Sequence, residues 1–218
     1  MKRMILLVAI CFIFASGLLT ADPRFELLTP QNCVLVLVDY QPGMLKGISS
    51  GDRTIIRNAA IAAAKAASIL QIPVLLTSIN PKGNGEFIKE ISDLFPNNEV
   101  IARKVPGFDA FDDERVLEAL KKTGRKKIVI SGLWTSMCFT YTALHGLKNG
   151  YEVYGLMDAA GDASLDAHTY GIQRMTQAGT VPITLISLVS EWMHDWANPN
   201  SGELIREVYS KYNAMLGN

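Results

Sequence analysis

A cysteine near the middle of the chain stands where a thiol could act as a nucleophile. Residues 127–150 read KIVISGLWTSMCFTYTALHGLKNG, in which an apolar run breaks at Ser131-Gly132 and Cys138 precedes a segment with helical spacing. This pattern predicts a buried strand, a tight turn and a helix that begins near Cys138. The helix dipole and the N–H groups of the first turn favour a thiolate there, and the thiolate is the nucleophilic form of cysteine. A buried structural cysteine is the alternative interpretation.

Two more residues with useful chemistry follow predicted strands. Asp39 follows the apolar run at residues 34–38, and Lys104 follows the short run at residues 100–102. Because the carboxyl ends of parallel strands meet at one edge of a sheet, we expect Asp39, Lys104 and Cys138 to converge there. Asp39 would remove the thiol proton and return it to a leaving group, while Lys104 would favour the thiolate electrostatically.

Backbone groups complete this predicted site. The N–H groups of Trp134 and Cys138 would bind an oxyanion that forms during attack on a carbonyl. Taken singly, each side chain also has a structural interpretation: Asp39 as a helix cap, Lys104 as a solvated charge and Cys138 as core filler. The joint catalytic interpretation therefore depends on the fold that brings them together.

The elements that must position these residues alternate between strands and helices. Apolar runs typical of strands that are buried on both faces lie at residues 34–38, 73–77, 100–102, 128–130, 152–156 and 181–186. Helical spacing marks residues 52–70, 86–94, 112–122, 138–149, 165–178, 189–196 and 202–216. This alternation predicts an α/β fold with a mostly parallel, doubly wound central sheet and helices on both of its faces.

The length and composition of the chain favour one globular domain. The chain has 218 residues, of which 49% are hydrophobic and 19% are charged, and this length is sufficient to bury a large core. Its 21 basic residues are balanced by 21 acidic residues. A nucleic-acid-binding surface needs a basic excess, so we do not expect nucleic acid as a partner.

The first segment is typical of a secretory signal peptide. Met1-Lys2-Arg3 gives a short positive end, and residues 4–20 are almost entirely apolar. Small residues that suit cleavage lie at Ala15-Ser16-Gly17 and at Leu19-Thr20-Ala21. We therefore assign residues 1–21 to a signal peptide and residues 22–218 to the domain, and expect a periplasmic or secreted protein. The alternative is an uncleaved membrane anchor, since about 17 apolar residues is the lower limit for spanning a bilayer.

Removal of this leader leaves two cysteines, Cys33 and Cys138. Two cysteines in an exported protein suggest a disulfide. Cys33, however, opens a strand that runs to Asp39, and such a strand is roughly 20 Å long at ~3.3 Å per residue. If Cys138 lies at the Asp39 end, the two Cα atoms are separated by far more than the ~7 Å limit for a bridge. We therefore predict that both thiols are free.

Three separated motifs resemble the isochorismatase-like cysteine hydrolase superfamily. They are LVDYQ at residues 37–41, GFDAF at 107–111 shortly after Lys104, and SGLWTSMC at 131–138, in the order and spacing of the family. The resemblance covers the chain from about residue 25 to about residue 196. Within the superfamily the chain is most similar to the YcaC-type hydrolases, through Asn84-Gly85, the segment DAAGD at 158–162 and the closing EW and DW pairs within 191–196.

The resemblance implies a three-layer α/β/α fold and a catalytic triad of Asp39, Lys104 and Cys138. It also implies a non-proline cis peptide in the turn at residues 133–135, which directs the Trp134 N–H toward the oxyanion beside the N–H of Cys138. The implied reaction is hydrolysis of a small amide through a thioester.

The basic member of the triad has two candidates. Some YcaC-type proteins carry arginine at this position, and Arg103 stands next to Lys104. We choose Lys104 because its spacing to Ala110-Phe111 fits the family pattern, and we keep Arg103 as the alternative.

The chain departs from the nicotinamidases of the superfamily in its histidines. Nicotinamidases hold a metal through an aspartate and two histidines, whereas no histidine lies between Asp39 and Cys138 here. The three histidines of this chain are His145, His168 and His194. We therefore expect no metal and no other cofactor, and we give these histidines structural roles.

The substrate pocket is predicted to include Gln41, Trp134 and Thr135. Trp134 stands where nicotinamidases carry a small residue, so we expect it to narrow or reshape the pocket. The sequence does not identify the substrate, because the specificity for a small molecule depends on loop geometry.

The sequence therefore predicts a metal-independent cysteine hydrolase that cleaves a C–N bond in a small amide. Two alternatives remain open: an isochorismatase-type vinyl-ether hydrolase, which relies on the aspartate and can lack the cysteine, and a non-catalytic binding or assembly protein of the same fold. The resemblance also implies a homo-oligomer, with an octamer as one candidate. A membrane is expected as a partner only if residues 4–20 remain uncleaved.

Overall fold

The computed structural model describes residues 26–104 and 106–210. The predicted signal peptide at 1–21 lies outside these residues, as does the end of the helix predicted at 202–216. Within the described residues, no helix combines the length and the apolar character that crossing a bilayer requires.

Six parallel strands form the central sheet, in the order β3-β2-β1-β4-β5-β6. The strands are β1 (Cys33–Val38), β2 (Val74–Ser78), β3 (Val100–Ala102), β4 (Lys127–Gly132), β5 (Glu152–Leu156) and β6 (Val181–Ile183). The order reverses at β1, which lies between β2 and β4. This is the doubly wound arrangement, so the predicted fold is confirmed, and a ligand is expected at the carboxyl ends of β1 and β4.

Helices cover both faces of this sheet. They are α1 (Pro42–Lys46), α2 (Arg53–Ile69), α3 (Pro81–Asn84), α4 (Lys89–Ser92), α5 (Glu114–Lys122), α6 (Thr140–Lys148), α7 (Leu165–Ala178), α8 (Leu185–Met193) and α9 (Ser201–Leu204). Single turns of other helix types lie at Ala110–Asp112, Thr135–Phe139 and Ile205–Ser210. Asp52 caps α2 as its sequence predicts, since its side chain accepts hydrogen bonds from Thr54 N and Ile55 N.

Two elements are shorter in the structure than the sequence predicts, for identifiable reasons. The helix predicted at 86–94 is only α4, because Ile88 N donates to Tyr40 O (2.9 Å) instead of to a carbonyl of its own helix. The strand predicted at 181–186 stops at Ile183, because the Asp158 carboxylate accepts hydrogen bonds from Leu185 N (2.9 and 3.0 Å) and starts α8 there. A capping carboxylate from another strand cannot be read from local periodicity.

The side chains of β1 alternate between two buried clusters. Leu35 and Leu37 pack on the side of α2 and α8, whereas Val34, Val36 and Val38 pack on the side of α5 and α6. Both clusters are apolar, which explains why β1 reads as a continuous hydrophobic run. The chain therefore holds the end of β1 rigidly between two packed layers.

The described cysteines form no disulfide. Cys33 and Cys138 are both buried and free. The Cys33 Sγ donates to Thr29 O (3.1 Å) and accepts from Trp192 Nε1 (3.2 Å), far from the carboxyl edge of the sheet. The prediction of two free thiols is confirmed.

Candidate active site

Asp39 immediately follows β1 at the carboxyl edge of the sheet. Its backbone has a positive φ of 62°, a conformation that aspartate tolerates better than most residues. Its N–H donates to Thr77 O at the end of β2 (2.9 Å). The side chain is completely buried, so a carboxyl group sits in the interior at the point where the strand order reverses.

Arg103 immediately follows β3 and reaches the same carboxyl group. Its N–H donates to Ser78 O (2.9 Å), which extends the pairing of β2 with β3 by one residue. Its guanidinium Nη2 donates to Asp39 Oδ2, and its Nη1 donates to Phe108 O (3.2 Å). Both side chains of the ion pair are fully buried. Arginine suits such a site because its charge persists in the interior and its planar group donates in several directions.

Lys104 does not join this site, and the prediction that it meets Asp39 is wrong. Lys104 is exposed, and its backbone N–H donates to Asp113 Oδ2 (2.9 Å). Side chains one residue apart in an extended segment point to opposite sides. Arg103 therefore points inward beside Asp39, and Lys104 points away from it.

Cys138 lies in the turn between β4 and α6. The turn contains the cis peptide predicted for residues 133–135, which is the bond between Leu133 and Trp134. Cys138 belongs to the single π-helical turn Thr135–Phe139, and its side chain packs in the apolar cluster on the α5–α6 side. The Thr142 hydroxyl donates to Cys138 O (2.6 Å) and fixes the turn to the helix that follows.

Burial gives the two reactive groups opposite protonation states. Removal from water raises the pKa of Asp39 to about 6, although the Arg103 charge and the neighbouring Cys138 thiol act in the other direction. Burial and the Asp39 carboxylate together raise the pKa of Cys138 to about 12, while Arg103 lowers it. At neutral pH the resting pair is thus a carboxylate and a neutral thiol. The expectation of a resting thiolate, stabilised by Lys104, is wrong for this reason.

A segment from the end of β5 holds the cysteine turn in place. Thr135 N donates to Gly161 O (3.0 Å), and Ser136 N donates to Asp162 Oδ2 (2.7 Å). Leu133 also forms an isolated parallel bridge with Gly161. Asp162 is therefore a structural carboxylate of the site, and sequence reasoning identifies it only through the DAAGD resemblance, since a tertiary contact leaves no periodic signal.

The three predicted pocket residues all use their polar atoms within the protein. The buried Gln41 accepts from Ile79 N (2.9 Å) and donates to Gly85 O, which ties two loops together. Trp134 Nε1 donates to Met44 O (2.9 Å). Thr135 is buried and its hydroxyl lies 2.8 Å from His168 Nδ1. Their contact with a substrate stays a prediction.

The Trp134 ring lies directly against Gly47, which follows α1. A Cβ added at Gly47 would lie 2.2 Å from Cζ2 of Trp134. We expect Gly47→Ala to displace the ring, lose its hydrogen bond to Met44 O, and lower the free energy of unfolding by about 1–3 kcal/mol, the usual cost of overpacking. Chemical denaturation would measure this change.

Gly202→Ala is the matched control for this prediction. An added Cβ at Gly202, in α9, meets no atom within 4 Å. Alanine has a higher helix propensity than glycine, so this variant should be as stable as the natural chain or more stable. Equal stability of the two alanine variants would contradict the tight packing of Trp134 on Gly47.

The described contacts of the histidines are structural. His145 Nδ1 lies 2.8 Å from Asp109 Oδ2, and Asp109 Oδ1 accepts from Phe111 N (2.8 Å) at the start of a helical turn. Asp112 adds a second carboxylate, so that one ligand-type atom from each of Asp109, Asp112 and His145 lies within 4.8 Å of the other two. A helix cap and a hydrogen bond between His145 and Asp109 account for these contacts. The absence of a metal from the protein stays a prediction.

Three buried polar atoms at the site have no hydrogen-bond partner in the described part of the chain. They are Asp39 Oδ1, Arg103 Nε and Thr77 Oγ1. Buried polar atoms are nearly always paired in native proteins, so three unpaired atoms at one site need an explanation. Thr77 is a residue that sequence reasoning missed, because it lies within β2, in register with Val38, and not in the loop that follows the strand.

Comparison with known proteins places the chain in one family. Residues 33–187 match the family described as Isochorismatase domain. The chain is 30% identical over 177 residues to the probable hydrolase YcaC of Escherichia coli, covering 80% of this chain and 84% of that protein. The crystal structure of the E. coli YcaC gene product, described as an octameric hydrolase of unknown specificity, superposes with a TM-score of 0.81 at 28% identity over 87% of this chain and 94% of that one.

Two further relatives are similar over most of the chain. YcaC from Pseudomonas aeruginosa, solved with hexane-2,5-diol and covalent acrylamide, has a TM-score of 0.81 and 28% identity and covers 87% of this chain and 95% of that one. The secreted isochorismatase effector Isc1 of Phytophthora sojae is 26% identical over 203 residues, which are 88% of this chain and 93% of that protein.

Proposed function

The chain belongs to the isochorismatase family of hydrolases, and on that premise we propose that it cleaves the C–N bond of a small amide with Cys138 as nucleophile. The observation that carries the proposal is the buried ion pair of Asp39 and Arg103 beside a buried thiol. An enclosed carboxylate next to a neutral thiol is the arrangement that general-base activation of a nucleophile requires. The P. aeruginosa relative was solved with covalent acrylamide, which nucleophiles attack at its double bond, and this supports a reactive nucleophile in that relative.

In the proposed reaction, Asp39 and Cys138 exchange a proton as the new bond forms. The sulfur attacks the amide carbon while the Asp39 carboxylate takes the thiol proton, and the carbonyl oxygen becomes an oxyanion. Asp39 then gives this proton to the departing nitrogen, which leaves as ammonia or an amine, and a thioester remains. Asp39 next takes a proton from water as the water oxygen attacks the thioester carbon. The C–S bond then breaks and releases the acid, and Asp39 returns the proton to the sulfur, which restores the thiol.

Arg103 would keep the buried carboxylate ionised and correctly oriented during this cycle. A lone carboxylate in the interior would bind a proton and lose its basicity. The guanidinium lowers the pKa of Asp39 against the effect of burial, which still raises the value to about 6. The backbone N–H groups of Trp134 and Cys138 are the proposed oxyanion donors, and each such donor contributes on the order of 3–4 kcal/mol. Every step uses side chains and backbone of this chain, without a metal or a cofactor.

A screen of small amides for ammonia release tests the proposal. The proton transfer requires an ionised Asp39, so we expect the rate to fall as the pH decreases through about 6, the value to which the pKa of Asp39 is raised. Above that pH the carboxylate is available and the rate should level off, because the thiol stays neutral until its own pKa of about 12. Measurement of the initial rate at closely spaced pH values would locate the pH at which the rate falls.

Asp39→Asn is the control, because asparagine fills the same space and cannot accept the thiol proton. Ammonia release should fall to background at every pH. A rate that Asp39→Asn leaves unchanged would contradict the role of Asp39. Failure of all the amides, together with a Cys138 that reacts with iodoacetamide as slowly as a buried thiol in an unrelated protein, would favour the non-catalytic alternative.

We also propose that the protein is an exported homo-oligomer that acts on a small molecule. An octamer is the candidate assembly, because the E. coli relative is described as an octameric hydrolase. Export is supported by the apolar leader at residues 1–21 and by the secreted relative of P. sojae. Light scattering of the purified protein would measure the assembly, and sequencing of the mature N-terminus would decide whether the leader is removed.

A further inference from the structure

The Thr77 hydroxyl is fully buried and plays no part in the proposed reaction. Thr77 is the last residue but one of β2, and its Oγ1 has no hydrogen-bond partner among residues 26–104 and 106–210. Valine has the same shape and would avoid the free-energy cost of burying an unpaired hydroxyl. A threonine at this position therefore needs an explanation beyond packing.

The register of the sheet brings this hydroxyl to the active site. β1 and β2 pair with Val38 opposite Thr77, and Asp39 N donates to Thr77 O (2.9 Å). Side chains alternate along a strand, so Thr77 lies on the same face as Leu75. Leu75 packs in the cluster on the α5–α6 side, which also contains Cys138. Thr77 thus lies beside Asp39 on the face of the sheet that carries the thiol.

One oxygen of the Asp39 carboxylate is available to accept a hydrogen bond from this hydroxyl. Oδ2 accepts from Arg103, whereas Oδ1 has no partner in the described residues. The Thr77 hydroxyl is near enough to lower the pKa of Asp39, but the resting contact falls short of a well-aligned hydrogen bond. A hydroxyl hydrogen rotates freely, so a small adjustment would pair the two atoms.

We propose that Thr77 is a positioning residue whose hydroxyl donates to Asp39 Oδ1 whenever the carboxylate is ionised. The inference rests on the proposed role of Asp39 in hydrolysis. Arg103 and Thr77 then hold one oxygen each, which fixes the plane of the carboxylate toward Cys138. The charged or titratable groups that face Asp39 are Arg103 and Cys138. Thr77 adds a neutral donor that favours the ionised form without adding charge.

The decisive measurement is the pKa of Asp39, obtained by NMR titration of protein that carries isotope-labelled aspartate. Comparison with Asp39→Asn identifies the signal of Asp39. Thr77→Val removes the donor, so we expect the pKa of Asp39 to rise by about one unit. Thr77→Ser retains the hydroxyl and should stay close to the natural value. Thr77→Val should be less stable to heat than the natural chain at pH 8, where the ionised Asp39 loses its donor, whereas Thr77→Ser should keep its stability.

The same variants predict a change in the pH dependence of hydrolysis. Asp39 must be ionised to act, so a higher pKa moves the acidic limb of the rate to higher pH. Thr77→Val should therefore lose several-fold more activity near pH 6 than near pH 8, at an unchanged KM, while Thr77→Ser should not. A loss that is equal at all pH values would indicate only a structural role and would overturn the proposal.

Two outcomes of the NMR experiment also overturn it: an unchanged pKa of Asp39 in Thr77→Val, or an equal rise in Thr77→Ser. The NMR measurement needs no substrate. If amide hydrolysis turns out not to require Cys138, the proposed function fails while the titration still decides the role of Thr77. The two failures are therefore distinguishable.

Discussion

Cys138→Ala is expected to reduce ammonia release from any amide substrate by on the order of a thousand-fold or more, to the level of the uncatalysed reaction. The proposed thioester cannot form without the sulfur of Cys138. Loss of a nucleophile from a catalytic unit has effects of this size or larger. Initial rates at about pH 7, with correction for the fraction of folded protein, would measure the change.

The second buried cysteine, Cys33, provides a matched control. Cys33 is buried like Cys138, but it lies at the start of β1 and hydrogen-bonds to Trp192. Cys33→Ala should alter the stability of the protein and leave the rate per folded molecule unchanged. Acrylamide should modify the natural chain and Cys33→Ala, as seen by mass spectrometry, but not Cys138→Ala.

The result of Cys138→Ala also separates the proposal from its nearest alternative. Vinyl-ether hydrolysis of the isochorismatase type relies on the aspartate and can proceed in proteins that lack the cysteine. An alanine variant that retains full turnover of a substrate, while Asp39→Asn loses it, would therefore exclude the thioester route and favour that alternative. Loss of activity in both variants is the result that the thioester route predicts.

The long elements of this fold are predictable from the sequence because each buries a regular pattern. β1 is a continuous apolar run, since it packs between two layers, and α2 carries a capping aspartate and an alanine-rich face. β5 and α7 have the predicted bounds, Glu152–Leu156 and Leu165–Ala178. The positions of Asp39 and Cys138 after neighbouring strands follow from the parallel sheet alone.

The details that the sequence does not reveal depend on tertiary contacts. The thiol of Cys138 is neutral at rest because burial and the Asp39 charge outweigh Arg103, and no sequence pattern reports the depth of a side chain. The contact of Thr135 with His168 and that of Ser136 with Asp162 each join residues far apart in the sequence. These contacts leave no local signature.

The choice between Arg103 and Lys104 could have been made from the sequence by counting residues. Asp39 is the first residue after β1, and Arg103 is the first residue after β3, so each directly follows its own strand. The next residue along an extended chain points to the other side. Lysine and arginine are also unequal here, because arginine is the residue that suits a buried ion pair.

The different positions of Arg103 and Lys104 lead to opposite predictions for their substitution. Arg103→Gln would leave the buried Asp39 carboxylate without its counter-charge, which typically costs about 3–5 kcal/mol of stability. The pKa of Asp39 should rise further above 6, so that the carboxyl group binds a proton at neutral pH and cannot accept one from Cys138. We expect the rate per folded molecule at about pH 7 to fall roughly a hundred-fold, in line with the loss of a general base.

Lys104→Gln is the control at the neighbouring position. The Lys104 side chain is exposed, and the hydrogen bond from its backbone N–H to Asp113 survives the substitution. Its stability should stay within about 0.5 kcal/mol of the natural chain, and its rate should be unchanged. A larger loss in Lys104→Gln than in Arg103→Gln would restore Lys104 as the basic residue of the site.

The loss in Arg103→Gln can be divided between charge and structure by a second substitution. The double variant with Asp39→Asn contains no buried charge at this place, so much of the stability lost in Arg103→Gln should return. Its activity should not return, because asparagine cannot accept the thiol proton. Recovery of stability without recovery of hydrolysis would mean that Arg103 is needed to keep Asp39 charged. The charge on Asp39 is in turn needed to take the proton from Cys138.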